Sequence, residues 1–299
     1  MEKNFKSGFA AIVGMPNVGK STLLNTVVGQ KIAIISDKPQ TTRNKILAIY
    51  NDDESQIVFT DTPGIHKPHN QLGEMMVKAA NESMNDVDVL IMVVDAARQV
   101  QDTERRIAES IKKLGIPSIL VINKVDLVKK DLLLPLIADY SNLNDFDAIV
   151  PISAKTGDGV QLLIDEIKSL IEPGPQYYYE DMVTDQPEKQ IAAEIIREKL
   201  LWLLDKEVPH GVAIEIEKMQ EKQNVTTINA VIYCEKDTHK GIIIGKNGEM
   251  LQRVGAMARG DIEKMLDKKV YLELWVRVKR DWRNNNYLLK NFGFIQSGE

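Results

Sequence analysis

The segment at residues 14–21, which reads G-M-P-N-V-G-K-S, constrains the fold of this chain more than any other. It lies between an apolar run at residues 9–13, which predicts a buried strand, and residues 21–28, whose pattern predicts a helix. Glycines in such a turn let backbone N–H groups converge on one anion, and the helix adds the positive end of its dipole. We therefore predict a phosphate-binding loop at the end of the first strand. Its residues are Gly14, Met15, Pro16, Asn17, Val18, Gly19, Lys20, Ser21 and Thr22.

Several polar residues in and beyond this loop suit a magnesium-bound triphosphate. We expect Lys20 to neutralise charge near the β- and γ-phosphates and the Ser21 hydroxyl to ligate Mg²⁺. Asp61 follows a predicted strand, where its carboxylate can hold a magnesium-bound water. A threonine hydroxyl from the loop before that strand would complete the Mg²⁺ shell. The sequence does not decide between Thr41 and Thr42, and we favour Thr42.

The turn that begins at Asp61 continues through Thr62, Pro63 and Gly64. The Gly64 N–H can reach a γ-phosphate only while that phosphate is present. Loss of this contact on hydrolysis is therefore expected to release the loop.

The segment N-K-V-D at residues 123–126 follows an apolar run at residues 116–122 and predicts a site for a purine base. The Asp126 carboxylate can accept from the ring N–H and the exocyclic amine of guanine, and adenine offers neither donor in that arrangement. The methylene stem of Lys124 would lie along the base. With Asn123 these residues predict that the bound nucleotide carries guanine.

A second segment supports the same base. Ser153, Ala154 and Lys155 follow the strand predicted at residues 147–152. The Ala154 N–H could donate to the guanine carbonyl oxygen, where adenine carries an amine. Adenine would thus be rejected from two edges.

The first 172 residues alternate between strand and helix patterns, which favours an α/β domain with a mostly parallel sheet. Strands are predicted at residues 9–13, 56–60, 87–94, 116–122 and 147–152, and helices at residues 21–28, 73–84, 103–114 and 160–171. Residues 45–50 and 56–60 flank a polar turn and predict a hairpin, so one edge strand is expected to be antiparallel.

These motifs, in this order and on this fold, resemble the translation-factor-like branch of P-loop GTPases. The resemblance implies hydrolysis of GTP to GDP and phosphate, with Mg²⁺ as cofactor. One departure concerns hydrolysis: Ile65 occupies the position where many small GTPases carry a glutamine that orients water. A subgroup with an apolar residue there uses an asparagine to hold potassium. Asn17 matches that place, and its alternative role is to shape the loop. The residues expected to act in catalysis are Asn17, Lys20, Thr42 and Gly64.

The rest of the chain has a different pattern. The helix predicted at residues 160–171 ends at Glu172-Pro173-Gly174-Pro175. We therefore predict domains at residues 1–172 and 181–299, with a linker at 173–180. The elements predicted after the linker follow the order α-β-β-α-β-α, which is typical of an α+β domain. They are a helix at residues 190–204, strands at 211–219 and 225–236, a helix at 250–266, a strand at 270–279 and a helix at 281–290.

A glycine-rich turn at residues 245–248 predicts a nucleic-acid site in this second domain. A G-x-x-G turn between two helices lets a sugar–phosphate backbone approach the chain closely, and the order of elements around it resembles a type II KH domain. Residues 236–290 hold 13 Lys and Arg against 7 Asp and Glu, a local charge of +6 in a chain whose net charge is −5. Core packing is the alternative role for the two isoleucines before the turn. The residues predicted to contact RNA are Ile243, Ile244, Gly245, Lys246, Asn247, Gly248 and Arg253.

Six motifs are spread over nearly the whole chain: GMPNVGKS, PQTTR, DTPGIHKP, NKVD, SAKTG and GIIIGKNG. Together they resemble those of the Era family of bacterial GTPases. The resemblance implies a factor that binds small-subunit ribosomal RNA near its 3′ end and assists assembly of the 30S subunit. It also implies a cytoplasmic location, with contact at the inner face of the cell membrane. We expect a monomer. Two alternatives stay open: an RNA-binding module with a structural, barely hydrolysed nucleotide, and a membrane-surface GTPase.

Overall fold

The computed structural model describes residues 5–38, 41–61, 70–292 and 294, and the chain divides into two compact units. Unit 1 contains Met1–Ala33, Thr42–Pro68 and Met75–Asp185. Unit 2 contains Gln186–Glu299 and two short segments from the first half of the sequence, Ile34–Thr41 and His69–Glu74. Among the described residues, none of the helices combines the length and apolarity needed to cross a bilayer.

The elements from Lys6 to Leu170 alternate between strands and helices. The strands are β1 (Lys6–Val13), β2 (Ile46–Asn51), β3 (Ser55–Asp61), β4 (Val89–Asp95), β5 (Ser118–Asn123) and β6 (Ala148–Pro151). The helices are α1 (Lys20–Val28), α2 (Gln71–Glu82), α3 (Asp102–Leu114), α4 (Leu133–Ser141) and α5 (Val160–Leu170). Helix α4 is absent from the predicted elements. Its Pro135 falls in the first turn, where a missing N–H breaks no intrahelical bond.

The six strands of unit 1 form one sheet in the order β2-β3-β1-β4-β5-β6. Only the β2–β3 pair of this sheet is antiparallel. Strands β3, β4 and β5 are buried along their whole length, as expected for strands covered on both faces. The predicted α/β fold with one antiparallel edge strand is therefore confirmed.

The predicted linker packs within unit 1, which extends to Asp185. The side-chain oxygen of Gln56 accepts from the backbone N–H groups of Tyr177 and Tyr178 at 2.8 and 3.0 Å. Further along, the Ile49 N–H donates to the carbonyl of Val183 at 2.9 Å. Since β2 is an edge strand, this segment pairs polar backbone groups that the edge would otherwise leave open.

Unit 2 is built around a three-stranded sheet in the order β7-β8-β9. Its strands are β7 (Ala213–Lys222), β8 (Val225–Cys234) and β9 (Lys269–Val278), and its helices are α6 (Glu188–Leu203), α7 (Asp237–Ile244), α8 (Glu249–Leu266) and α9 (Asn286–Asn291). Strands β7 and β8 are antiparallel, whereas β8 and β9 are parallel and are connected through α7 and α8. The predicted α+β domain is confirmed, and α7 is the short helix expected before the G-x-x-G turn.

The core of unit 2 lies between helices α6 and α8 and one face of the sheet. It includes Ile195 of α6, Ile232 of β8 and Val254 of α8. The chain's single cysteine, Cys234, is buried in the same cluster. Trp202 of α6 is 48% exposed, so its side chain does not belong to this core.

Candidate functional site

The phosphate-binding loop begins where β1 ends, and steric hindrance explains why two of its positions are glycine. Gly14 has φ 154°, and a Cβ atom there would lie 2.4 Å from the carbonyl oxygen of Val93. Gly19 caps α1 with φ 101°, and a Cβ atom there would lie 2.2 Å from the side-chain nitrogen of Asn123. Only glycine fits both positions without displacing neighbours.

Lys20 is the first residue of α1, and its side chain turns back into the loop. Its buried ammonium donates to the carbonyl oxygens of Gly14 at 3.1 Å and Met15 at 2.9 Å. Burial lowers the pKa of Lys20, and the nearby Asp61 carboxylate partly offsets this effect. A phosphate in the loop would favour the charged ammonium in the same way, by supplying a second anion.

Three oxygen-bearing side chains converge beside Lys20. The Ser21 hydroxyl lies 2.9 Å from the Thr42 hydroxyl and donates to Asp61 Oδ2 at 2.9 Å. The Thr42 hydroxyl donates to the same carboxylate oxygen at 3.3 Å. Two hydroxyls and a carboxylate are hard oxygen ligands of the kind that Mg²⁺ uses together with water and substrate phosphates.

This geometry separates the two threonines that the sequence left open. The Thr41 hydroxyl donates to the carbonyl oxygens of Ser36 at 3.3 Å and Lys38 at 2.6 Å. It is therefore used to hold its own loop, whereas the Thr42 hydroxyl belongs to the cluster around Ser21.

Asn123, the last residue of β5, forms side-chain hydrogen bonds with the phosphate loop, with the turn that follows β5 and with the segment after β6. Its amide nitrogen donates to the carbonyl of Val18 in the phosphate loop at 2.8 Å. Its side-chain oxygen accepts from the N–H groups of Lys124 at 2.8 Å and Ala154 at 2.9 Å. In this structure Asn123 therefore shapes the site through the loops around it.

The Ala154 N–H was predicted to meet the guanine carbonyl, and here it donates to Asn123. A guanine oxygen would have to share this bond or replace it. The carboxylate of Asp126, by contrast, lies on an exposed turn that follows Lys124. Its predicted role toward the guanine N–H donors is compatible with this placement.

Asp95 is a residue of the site that sequence reasoning missed. It is buried at the end of β4, beside Asn123 in the register of the sheet. One of its oxygens accepts from the Lys124 ammonium at 2.7 Å, and Lys124 also donates to the carbonyl of Asn17 at 2.7 Å. The available signal was an acidic residue directly after an apolar strand, next to the base-recognition segment.

Apart from Thr42, which precedes the antiparallel strand β2, these groups lie at or just beyond the carboxyl ends of parallel strands, the edge where open α/β sheets bind ligands. The other predicted residues take their places there: Met15, Pro16, Val18 and Thr22 in the loop and first helix, and Ser153 and Lys155 after β6. Thr62, Pro63, Gly64 and Ile65 lie outside the described residues.

A second site in unit 2 is centred on the turn between α7 and α8. Gly245 has φ 74°, and a Cβ atom there would lie 2.7 Å from the Cβ of Met250. Gly248 is the N-cap of α8, with φ 83°. Between the two glycines, Lys246 and Asn247 are exposed at the tip of the turn.

The two isoleucines predicted to line a groove for bases have different surroundings. Ile243 is fully buried in the core of unit 2, so that prediction is wrong for Ile243 and core packing explains it. Ile244 is partly buried against the same core. The exposed isoleucine of α7 is Ile242, which is 49% exposed.

A groove runs from the G-x-x-G turn between α8 and the edge strand β9. It is lined by Gly248, Leu251, Gln252, Gly255, Ala256, Arg259, Leu272, Glu273 and Leu274. Arg253 is exposed on α8 but is not part of this lining, so Arg259 is the arginine that the groove presents. The lining residues that α8 contributes recur at helical spacing along one side of the helix. The sequence alone could not assign this pattern to a groove.

Two family models match the chain. Residues 9–124 match a family described as 50S ribosome-binding GTPase, and residues 207–283 match the KH domain family. Among curated proteins, GTPase Era of Ruminiclostridium cellulolyticum is 53% identical over 292 residues, which cover 97% of this chain and 98% of the relative. GTPase Era of Clostridioides difficile is 54% identical over 293 residues, which cover 97% and 99%.

Two solved structures are similar over nearly the whole chain. One is a variant of Aquifex aeolicus Era bound to GDP and AlF4⁻, with 40% identity, a TM-score of 0.94, and coverage of 98% of this chain and 100% of that chain. The other is Era in complex with MgGDPNP and nucleotides 1506–1542 of 16S ribosomal RNA, with the same identity, TM-score and coverage. By sequence, domain content and three-dimensional structure, this chain belongs to the Era family of GTPases.

Proposed function

We propose that this GTPase binds Mg²⁺ and GTP in unit 1 and small-subunit ribosomal RNA near its 3′ end in unit 2, and that the bound nucleotide controls RNA binding. One observation carries the proposal: the side chains of Ser21, Thr42 and Asp61 converge beside the Lys20 ammonium. This donor set matches what a magnesium-bound triphosphate requires. The similarity to the Era complex with MgGDPNP and 16S ribosomal RNA supports the choice of both ligands.

Within unit 1, each group has a separate role toward the nucleotide. Lys20 neutralises the phosphates, Ser21 and Thr42 ligate Mg²⁺, and Asp61 holds a magnesium-bound water. Lys124 supports the base and Asp126 selects guanine over adenine. Water then attacks the γ-phosphate and yields GDP and phosphate.

Within unit 2, the G-x-x-G turn and the adjoining groove hold single-stranded RNA. Lys246 at the exposed tip contacts phosphates, and the glycines let the sugar–phosphate backbone approach. The apolar side chains of Leu251 and Leu274 face unstacked bases in the groove, while Arg259 supplies a positive charge along it. Through this binding the protein assists assembly of the 30S subunit.

The affinity of the protein for a single-stranded RNA with the sequence of the 3′ end of 16S ribosomal RNA tests this coupling. We expect tighter binding in the presence of MgGDPNP than in the presence of GDP. Equal affinity in the two states would contradict control by nucleotide and would favour an RNA-binding module with a structural nucleotide.

We also propose that Asn17 helps to hold a potassium ion that assists hydrolysis. Asn17 has φ 66° in the phosphate loop, and its carbonyl is held by Lys124, so the residue has a fixed position there. GTP turnover should be faster in potassium than in sodium, and Asn17→Ala should remove the difference. Equal turnover of the parent protein in both salts would refute this role.

We place the protein in the cytoplasm, because its proposed RNA partner is part of the ribosome. We also expect it to be a monomer. Contact with the inner face of the cell membrane is a further expectation from the family. Light scattering on the purified protein checks the monomer, and flotation with anionic vesicles, with and without competing RNA, checks the membrane contact.

A further inference from the structure

Three consecutive charged residues of α6 are buried in unit 2. Arg197, Glu198 and Lys199 expose 1, 0 and 2% of their surface. Burial of charged side chains is costly unless they are paired and hydrogen-bonded. Packing of a helix through an apolar stripe does not require such a run. The partners of these residues therefore indicate what this part of α6 does.

Two side chains of α6 hold both polar backbone groups of Ile35, which belongs to the segment Ile34–Thr41 of unit 2. Glu198 Oε1 accepts from the Ile35 N–H at 2.9 Å. The indole N–H of Trp202, one helical turn later, donates to the Ile35 carbonyl at 2.8 Å. Because both groups of one residue are bound, the orientation of the chain at Ile35 is fixed.

The other end of the same segment is held by Arg197. Its Nη2 donates to the carbonyl oxygen of Thr41. The Glu194 carboxylate accepts from the same guanidinium at 2.8 and 2.5 Å, which orients the Arg197 side chain. Arg197 therefore meets the backbone one residue before Thr42.

Lys199 forms ion pairs with the carboxylates of Glu198 and Asp261. Its ammonium lies 2.7 Å from Glu198 and 2.5 Å from Asp261 of α8, and 3.8 Å from the centre of the Trp202 ring. The Glu198 carboxylate therefore contacts the Lys199 ammonium and also accepts from the Ile35 N–H, so its polar atoms are paired despite their burial.

We propose that Arg197, Glu198 and Trp202 are positioning residues for GTP hydrolysis. They hold the segment that leads into Thr42 in a conformation in which the Thr42 hydroxyl lies 2.9 Å from Ser21. The inference rests on the proposed function, in which Thr42 ligates Mg²⁺. Because Ile35 and Thr41 are already held by α6, less conformational entropy is lost there when Mg²⁺ and GTP bind.

The test measures the Mg²⁺ concentration that gives half-maximal single-turnover hydrolysis of GTP, together with the affinity for GDP. Glu198→Gln and Trp202→Phe each remove one hydrogen bond to Ile35 or weaken it. The half-saturating Mg²⁺ concentration should rise about threefold to tenfold, as expected for one hydrogen bond. GDP affinity should stay unchanged, because the Thr42 ligand acts with the triphosphate. Arg197→Lys, which keeps a donor for the Thr41 carbonyl, should have a smaller effect than Arg197→Met.

Glu188→Gln and Lys189→Met are matched controls, because both residues are exposed on the same helix. A purely structural role would lower the amount of active protein without moving the Mg²⁺ midpoint. Trp202 is half exposed, so Trp202→Phe keeps the test available if Glu198→Gln does not fold.

Thr42→Ala separates the inference from the function on which it rests. If Thr42→Ala raises the Mg²⁺ midpoint and the α6 variants leave it unchanged, the positioning role is wrong and the Mg²⁺ site stands. If Thr42→Ala also leaves the midpoint unchanged, the proposed Mg²⁺ site itself fails.

Discussion

At the scale of single residues, the proposed choice of guanine depends on the carboxylate of Asp126. In Asp126→Asn the side-chain amide cannot accept from both guanine donors, but it can donate to the 2-oxygen of xanthine. We expect GTP affinity to fall about a hundredfold, since a charge-assisted pair of hydrogen bonds is lost, and affinity for xanthosine triphosphate to rise. Competition between the two nucleotides against a fluorescent GDP measures this exchange.

Asp131→Asn is a suitable control for that experiment, because Asp131 is an exposed carboxylate on the next turn of the chain. Its nucleotide preference should match the parent protein. An Asp126→Asn protein that still prefers GTP would show that another group selects the base.

The neighbouring threonines offer a second comparison at this scale. Thr42→Ala removes a hydroxyl from the Ser21–Asp61 cluster, while Thr41→Ala removes one that donates to carbonyls of its own loop. We expect Thr42→Ala to raise the Mg²⁺ requirement for GTP hydrolysis about tenfold or more, and Thr41→Ala to change it about twofold or less. A titration of turnover with Mg²⁺ gives both values, and a larger effect at Thr41 would reverse the assignment.

At the scale of elements, the turn between β2 and β3 is bound to α5. Asp52 accepts from the Lys168 ammonium of α5, and also from the N–H groups of Glu54 in the turn and Ser55 at the start of β3. Burial by itself raises the pKa of Asp52, but the hydrogen bond from Lys168 and those from the turn outweigh it and lower the pKa to about 2. The ionised form is thus favoured in the folded protein.

The pH dependence follows from the sign of that shift. Because the folded pKa lies below the unfolded value of about 4, the stabilisation is complete above about pH 5 and is lost as the pH falls toward 2. Lys168→Met should lower the free energy of unfolding by about 1 kcal/mol at pH 7, after allowance for partial exposure of the pair. The difference from the parent protein should shrink as the pH approaches 2.

Urea unfolding at a series of pH values measures this change, and Lys113→Met on the exposed face of α3 serves as the control. A deficit for Lys168→Met that stays constant down to pH 2 would assign the effect to packing of the lysine stem instead of the ion pair.

The groove beside α8 allows a further comparison between arginines of one helix. Arg259 lines the groove and Arg253 does not. We expect Arg259→Ala to weaken binding of single-stranded RNA about tenfold and Arg253→Ala to weaken it about twofold or less. Fluorescence anisotropy at a fixed salt concentration checks both, and a larger loss for Arg253→Ala would place the RNA on another face of α8.

At the scale of the whole molecule, the proposed control of RNA binding has a thermodynamic consequence. If GTP tightens RNA binding by some factor, RNA must tighten GTP binding by the same factor. Saturating RNA should raise GDPNP affinity by one factor and GDP affinity by another. The ratio of these two factors should equal the ratio of the RNA affinities measured with GDPNP and with GDP. A mismatch between the two ratios would mean that one of the binding measurements was not at equilibrium, because the equality holds for any number of conformations.

The fold and the nucleotide motifs were accessible from local sequence patterns. Continuous apolar runs predict the buried strands of unit 1, and alternating patterns predict the antiparallel strands of unit 2, because burial is repeated at the period of the element. Gly14, Gly19 and Gly245 were recognisable from motif spacing, although the atoms that a Cβ would meet at Gly14 and Gly19 belong to Val93 and Asn123, far away in the chain. Periodicity and motif spacing extend over a few residues and can therefore be read from the sequence.

Other features depend on residues that are far apart in the chain. Asp95 meets Lys124 only because β4 and β5 are neighbours in the sheet, and Arg259 faces the groove only because α8 lies along β9. Ile243 and Ile242 are equally apolar, and packing alone decides which is buried.

Local patterns predict the fold class, the phosphate loop and the base-recognition segment, since each depends on hydrophobic periodicity and motif spacing. The tertiary structure decided that Thr42 joins Ser21 and Asp61, and that Arg197, Glu198 and Trp202 bind the segment before it. The reason is physical: hydrogen bonds between distant segments depend on how the elements pack, and no local pattern encodes that packing.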